Sequence, residues 1–307
     1  MDYIKNKIES IIPYQGNEYV LSTKNYLESN NLIAKISFLI LVIILFIGFF
    51  NLGIKIIHKL LTPSETPYIF YGMKSAKTLQ IVPQRLDNKN SIPIFRSKNQ
   101  HEGIEFTYSN WMYIEHLDDS SKSFYHVFNK GSVNKDSNGI MEPNNCPGVY
   151  IFKGSQEHDL FKDTPIDTED SLISMLILIN VYNNEPDSVG NYTYLEKIFI
   201  DGIPIKKWIN VIIRVNSQNI VDIYINGTLT KRHKLSNVIK QNYENININM
   251  NGGFDGFMSN LKYYNYSIGT FEIDSIVANG PNLKMSDGST IEKSKPYYLA
   301  NDWFYGN

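Results

Sequence analysis

The hydrophobic pattern of this chain is dominated, near its start, by a gap in the charges. Between Lys35 and Lys55 there is no Asp, Glu, Lys, Arg or His, and Ile36 to Ile54 reads ISFLILVIILFIGFFNLGI. As a helix at about 1.5 Å per residue, the run is roughly 28 Å long, close to the hydrocarbon thickness of a bilayer. Its polar side chains, Ser37 and Asn51, lie near the two ends. The polar stripe of a buried core helix is missing. The run therefore predicts a membrane anchor whose backbone groups are satisfied internally and whose Ile36, Phe46, Phe49, Phe50 and Ile54 meet lipid. A cleaved signal peptide is the rival, but the run starts far from the terminus, is long for that purpose and has no small-x-small site after it. The helix is expected to continue through Lys55, His58 and Lys59 and to stop at Leu61 or Thr62, before Pro63.

Past that point the period changes. Residues 62–102 carry Pro63, Pro67, Pro83 and Pro93 between short apolar runs, which reads as a linker passing into first strands near Tyr68–Tyr71 and Leu79–Val82. From Gly103 to Tyr266 no segment keeps a 3.6-residue apolar period. Strand signals recur instead at Ile104–Glu115, Phe124–Asn129, Val149–Phe152, Leu172–Tyr182, Glu196–Ile200, Trp208–Val215, Ile220–Ile225, Asn245–Met250 and Gly256–Tyr266. Many short strands with Gly, Asn and Pro between them predict an all-β sandwich or barrel, and about two hundred residues suffice for one full core. The sharpest local signal is a hairpin. Ile209, Val211, Ile213 and Val215 alternate with Asn210, Ile212 and Arg214, and Val221, Ile223 and Ile225 repeat the alternation. Asn226-Gly227 then supplies the pair favoured in a two-residue type I′ turn before the return strand at Thr228–Thr230.

Composition narrows the partners. The formal net charge of −2 argues against nucleic acid. Cys146 is the only cysteine, so no disulfide forms within the chain, and without a nearby base it reads as an inert thiol. The C-terminal flank of the apolar run carries Lys55, Lys59, Lys74 and Lys77 and the N-terminal flank Lys24 and Lys35, a bias that favours a cytosolic side for the large domain. The sequons at Asn191, Asn226 and Asn265 point the other way, and in so Asn-rich a chain they do not decide. Residues 1–31 form a polar segment in which Ile4–Ile12 is either a short amphipathic turn or a frayed tail.

Three stretches carry a family resemblance: Trp208–Val215 (WINVIIRV), Val221–Leu229 (VDIYINGTL) and Gly253–Ile268 (GFDGFMSNLKYYNYSI). They resemble concanavalin A-like lectin/glucanase domains, with the laminin-G and pentraxin-like branch nearest. Phe106–Tyr113 looks like that family's early core strand and Ser267–Val277 like its short following helix. The resemblance covers about residues 103–280 and implies a jelly-roll β-sandwich, preceded here by the transmembrane helix and followed by an aromatic tail over 281–307. It says little about activity, because the fold hosts lectins, hydrolases and adhesion modules.

The enzymes of that superfamily set two carboxylates on one strand as E-x-D-x-x-E or E-x-D-x-E, a spacing suited to a retaining glycosidase. Neither full spacing occurs: the E-x-D at Glu272-Ile273-Asp274, in the expected helix, has no third acid in register, and the surroundings of Glu115 do not match either. The six histidines are scattered without H-x-x-x-H or H-E-x-x-H spacing, and no phosphate loop or nucleophile elbow occurs. A non-enzymatic reading follows. Two places remain as candidate contacts. Asp118-Asp119, Asn183-Asn184 with Asp187, and Asp167 with Asp170 are loop oxygens of the kind through which many family members hold Ca²⁺, although Asp and Asn also suit turns. The tail concentrates Tyr297, Tyr298, Trp303, Phe304 and Tyr305, aromatics that either dock a partner or fold back on the sandwich. The expectation is a membrane-anchored interaction protein with the bilayer and protein neighbours or glycans as partners. The abundance of Asn, Ile and Lys suggests a structural protein of a large DNA virus, tying membrane to capsid. The alternatives are a surface glycan-binding adhesin and a divergent glycoside hydrolase.

Overall fold

The computed structural model describes residues 21–22, 24–25, 32–97, 104–117, 122–154, 173–186 and 193–286. The chain divides into two compact units, Met1–Thr62 and Pro63–Asn307.

The first unit holds one long helix, α1 (Leu32–Leu61). Its stretch Lys35–Leu61 has a mean hydropathy of 2.7, long and apolar enough to cross a membrane. Phe46, Phe49 and Phe50 are all exposed, as are Ile36 and Ile54, so the apolar surface runs round the whole helix. The one amide in the run is satisfied locally: Asn51 Nδ2 donates to the Ile47 carbonyl at 2.9 Å. At the far end the Thr62 hydroxyl and N–H both reach the His58 carbonyl, at 2.6 and 2.9 Å. Pro63, with no N–H to give, continues the chain in non-helical form.

The second unit is a β-sandwich of two antiparallel sheets. Its strands are β1 (Tyr68–Ser75), β2 (Gln80–Val82), β3 (Phe106–His116), β4 (Tyr125–Gly131), β5 (Asn134–Lys135), β6 (Met141–Glu142), β7 (Asn145–Lys153), β8 (Ile173–Tyr182), β9 (Thr193–Ile200), β10 (Trp208–Val215), β11 (Ile220–Ile225), β12 (Thr228–Lys234), β13 (Ile246–Ile248) and β14 (Asp255–Tyr264). One sheet runs β1-β14-β3-β10-β11-β12 and the other β2-β13-β4-β7-β8-β9, with β5 and β6 pairing apart. This is the all-β jelly-roll sandwich with a preceding helix that the sequence predicts.

Alternation builds the core. Tyr108 and Met112 of β3 and Ile209, Val211, Ile213 and Val215 of β10 face Val149 and Ile151 of β7 and Met175, Ile177 and Ile179 of β8 across the gap. The predicted hairpin has Asn226 at φ 52° and Gly227 at φ 80°, the pair of positive angles a type I′ turn needs. Strand β8 is buried along nearly its whole length. Its even residues Leu176 and Leu178 join Phe124, Ile140, Tyr150 and Phe152 in a second cluster on the outer face of that sheet. A third cluster lies outside the other sheet, where Ile212, Tyr224 and Tyr264 pack on Ile268 and Ile273. Ile273 belongs to the second helix, α2 (Thr270–Asn279), so α2 rides on the outer face of the β1-containing sheet.

Two polar devices hold the sandwich. At the β12 and β9 edges, His233 Nε2 meets Glu196 at 2.6 Å, and Glu196 also accepts from the Ser236 N–H (2.6 Å) and hydroxyl (2.5 Å). Burial pushes the Glu196 carboxyl up, but the Ser236 and His233 donors outweigh it and hold it below the usual range. Edge strand β12 itself ends Lys231-Arg232-His233-Lys234, with Arg232 held by Asp222 of β11 through bonds of 2.6 and 3.0 Å.

Candidate functional site

Two concavities among the described residues differ in their chemistry. The larger, about 780 Å³, opens at one end between the sheets and is lined by Phe106, Tyr108, Tyr263, Ile239, Cys146 and Lys130 among others. Burial lowers Lys130 to about 8, against the favourable charge of Glu244. Its ammonium is nonetheless fully used. It donates to the Asn242 carbonyl (3.0 Å), to Asn242 Oδ1 (3.2 Å) and to the Glu244 carbonyl, which accounts for its three N–H groups. The neighbouring Cys146 thiol is pushed up to about 12 by burial, so it stays protonated and non-nucleophilic at neutral pH. This end of the sandwich is a clamped structural region with an apolar hollow, without a poised nucleophile.

A row of buried amides crosses the second sheet. His126 Nδ1 accepts the Met250 N–H (3.0 Å), which assigns the proton to Nε2, directed at Asn129 Oδ1 (3.0 Å). Asn129 Nδ2 donates to Ser132 O (3.0 Å) and Asn145 Oδ1 (3.3 Å), and Asn247 Nδ2 to Gly131 O (2.9 Å). The imidazole is fully buried and lowered to about 4 by desolvation, only partly offset by Asn129, so it is neutral and locked.

The smaller concavity, about 320 Å³, is a groove on the outer face of the β1-containing sheet, walled by α2. Cross-strand register builds its floor. Tyr68 of β1 pairs with Lys262 of β14, and Lys262 pairs with Ser109 of β3. Between the pairs Ser259–Trp111 and Lys262–Ser109, β14 carries one residue more than β3, a β-bulge. Asn260 sits in it at φ 52°, with Oδ1 accepting the Gly72 N–H at 3.0 Å. The small Ser109 leaves the hollow. Around it stand Tyr68, Trp111, Tyr264, Tyr266 and Phe271.

Lys262 and Glu272 are the charged groups of this groove. Lys262 Nζ lies 4.8 Å from the Tyr68 ring centroid and 4.5 Å from that of Tyr264, sandwiched between two π-faces. Desolvation lowers its pKa, against the pull of Glu272. Glu272 accepts the Tyr266 hydroxyl (2.7 Å) and the Gly269 N–H (3.2 Å) at the start of α2. It begins the Glu272-Ile273-Asp274 triplet, and here it caps a helix and fixes a tyrosine. Phe271, in the first turn of α2, is 84% exposed, and Tyr68 is 42% exposed.

The residues singled out from sequence fall elsewhere. Asn183 and Asn184 are exposed just after β8, and Asn184 Oδ1 accepts from Asn237 Nδ2 at 3.1 Å. Asp118, Asp119, Asp187, Asp167 and Asp170 lie outside the described residues, as do Tyr297, Tyr298, Trp303, Phe304 and Tyr305. Among the described residues no group of three or more His, Cys, Asp or Glu side chains converges as a metal cage. The groove was not foreseen. Its residues are spread over 66–68, 109–111 and 260–280, and the local hint, Lys262-Tyr263-Tyr264-Asn265-Tyr266, reads first as strand.

No protein family and no curated protein matches this sequence. Among solved structures it is similar to receptor-binding domains of botulinum neurotoxins. The serotype D ligand-binding domain in complex with N-acetylneuraminic acid aligns at 14% identity and a TM-score of 0.41, over 70% of this chain and 46% of that one. The serotype G binding domain aligns at 12% identity and a TM-score of 0.37, over 67% and 46%. This chain thus spans less than half the length of the structures it matches. With such low identity and partial overlap, the sandwich stands on its own strand order.

Proposed function

We propose that this chain is a non-catalytic recognition module held at a membrane: α1 anchors it in the bilayer and the β-sandwich presents a binding surface to glycans or neighbouring proteins. The observation that carries the reading is α1 itself. A helix of 30 residues with exposed Leu, Ile, Val and Phe on every side has no stable place in water. The excess of lysines after the apolar run supports a sandwich on the cytosolic side, where a tie between a membrane and a protein shell would be one use. The aromatic groove favours a glycan-binding use instead.

The test is extraction and topology. Membranes carrying the full chain are washed with alkaline carbonate, then treated with protease and probed with antibodies against each terminus. Retention of the chain, with the two termini on opposite sides, is expected. Release into the wash, or both termini on one side, would remove the anchor and with it this reading.

A further inference from the structure

We propose that the groove between α2 and the outer face of the β1-containing sheet is a binding site for a neutral hexopyranose, as the end of a glycan chain. The proposal deepens the recognition reading above and names its site and ligand class.

Three observations lead there. First, the walls are aromatic and partly open: Phe271 stands 84% exposed in the first turn of α2, and Tyr68 is 42% exposed on β1 although its ring meets Lys262 and Tyr71. A pyranose has one face of axial C–H bonds, which packs on such a ring, and a rim of hydroxyls that wants donors and acceptors. Second, the groove supplies both kinds of polar partner. Among the described residues Lys262 Nζ makes ring contacts but no hydrogen bond, so its three N–H groups are unspent. Asn260 uses its carbonyl oxygen on Gly72, leaving its amide nitrogen for a ligand. Glu272 accepts two hydrogen bonds, and a carboxylate's two oxygens offer about four acceptor positions, so it has capacity for a hydroxyl. Third, the charge is balanced. One ammonium and one carboxylate line the groove, which disfavours an anionic sugar or phosphate and leaves a polar, uncharged ligand as the best fit. The volume of about 320 Å³ lies at the small end of the usual range for small-molecule sites, so the groove takes a sugar terminus, not a long chain in full.

The site is also built to be rigid. The bulge at Asn260, the Tyr266–Glu272 bond and the α2 cap place its polar groups before any ligand arrives, which lowers the ordering cost of binding.

The test uses the full chain in detergent micelles with maltose, cellobiose, lactose and sialyllactose as probes, read by calorimetry and by saturation-transfer NMR. At least one neutral disaccharide is expected to bind with a Kd below about 10 mM, weak but measurable on the usual scale. Phe271→Ala and Lys262→Met are each expected to weaken it about tenfold, the loss of one good contact. Circular dichroism and the melting temperature of each variant confirm folding, and the exposed Phe271 makes that variant safe. The proposal is overturned if no neutral sugar binds, if only sialyllactose binds, or if binding survives both substitutions unchanged. None of these outcomes touches membrane retention, so the anchor reading stands or falls separately.

Discussion

Acid should weaken this protein through one buried ring. His126 is neutral in the folded state because burial lowers its pKa to about 4, whereas the unfolded chain gives it an ordinary value of about 6.5. Between these values the unfolded state binds the proton and the folded state does not. Stability is therefore at its full value above pH 6.5 and falls as pH drops toward 4. Integrating the two titrations gives a loss of about 2 kcal/mol between pH 7 and pH 5, and about 3 kcal/mol by pH 4. Glu196 loses stability in the same direction, since its folded pKa is held down. A single acid titration would mix the two. The design is therefore a comparison with His126→Gln, which keeps one donor and one acceptor for Asn129 and Met250 but cannot titrate. Urea unfolding of the full chain in micelles, followed by tryptophan fluorescence, is run at pH 7 and pH 5. The wild type should lose about 2 kcal/mol more than the variant over that interval. An equal loss in both proteins would refute the reasoning, because it would mean that the imidazole gains its proton in the folded state at no cost.

Three further outcomes test other parts of the structure. Cys146, buried with its thiol near 12, should resist an aromatic disulfide reagent at pH 8 in the native protein and react fully in guanidinium; rapid native labelling would contradict its burial. Gly256 has φ 147° and a Cβ there would lie 1.9 Å from the Tyr113 carbonyl oxygen, so Gly256→Ala should cost ~3 kcal/mol of unfolding free energy and lower the melting temperature. Tyr150→Phe removes the hydroxyl that accepts the Met141 N–H at 2.9 Å, leaving a buried amide unpaired at a cost of about 1–3 kcal/mol in urea unfolding; a neutral effect would mean that water or another acceptor takes its place.

Local pattern carried much of the fold. The strands at Trp208–Val215 and Ile220–Ile225 and the Asn226-Gly227 turn are written in alternation and turn chemistry, and the structure has them at those residues. Strand β7 begins earlier than expected, at Asn145, because Pro147 reads as a break; the ladder tolerates it beside a register shift against β4. The two-residue strands β5 and β6 are too short for any period. Less of the site was legible. A bulge such as that at Asn260 has no reliable mark in a strand of mixed residues, and Tyr68, Lys262 and Ser109 become neighbours only through register across three strands. Glu272 was visible as an acid, and its role in holding α2 and Tyr266 needed the fold.

The charged edge of the sandwich has a meaning that shows only in numbers of molecules. Anchoring a protein in a bilayer confines it to two dimensions, where copies meet far more often than at the same amount in solution. An open strand with free N–H and C=O groups would then recruit its neighbour's strand. Edge strand β12 closes on Lys231, Arg232, His233 and Lys234, with Arg232 and His233 engaged at home by Asp222 and Glu196. Two such edges brought together would crowd the basic halves of both strands into one seam. At this edge, crowding would thus not by itself join one sandwich to the next.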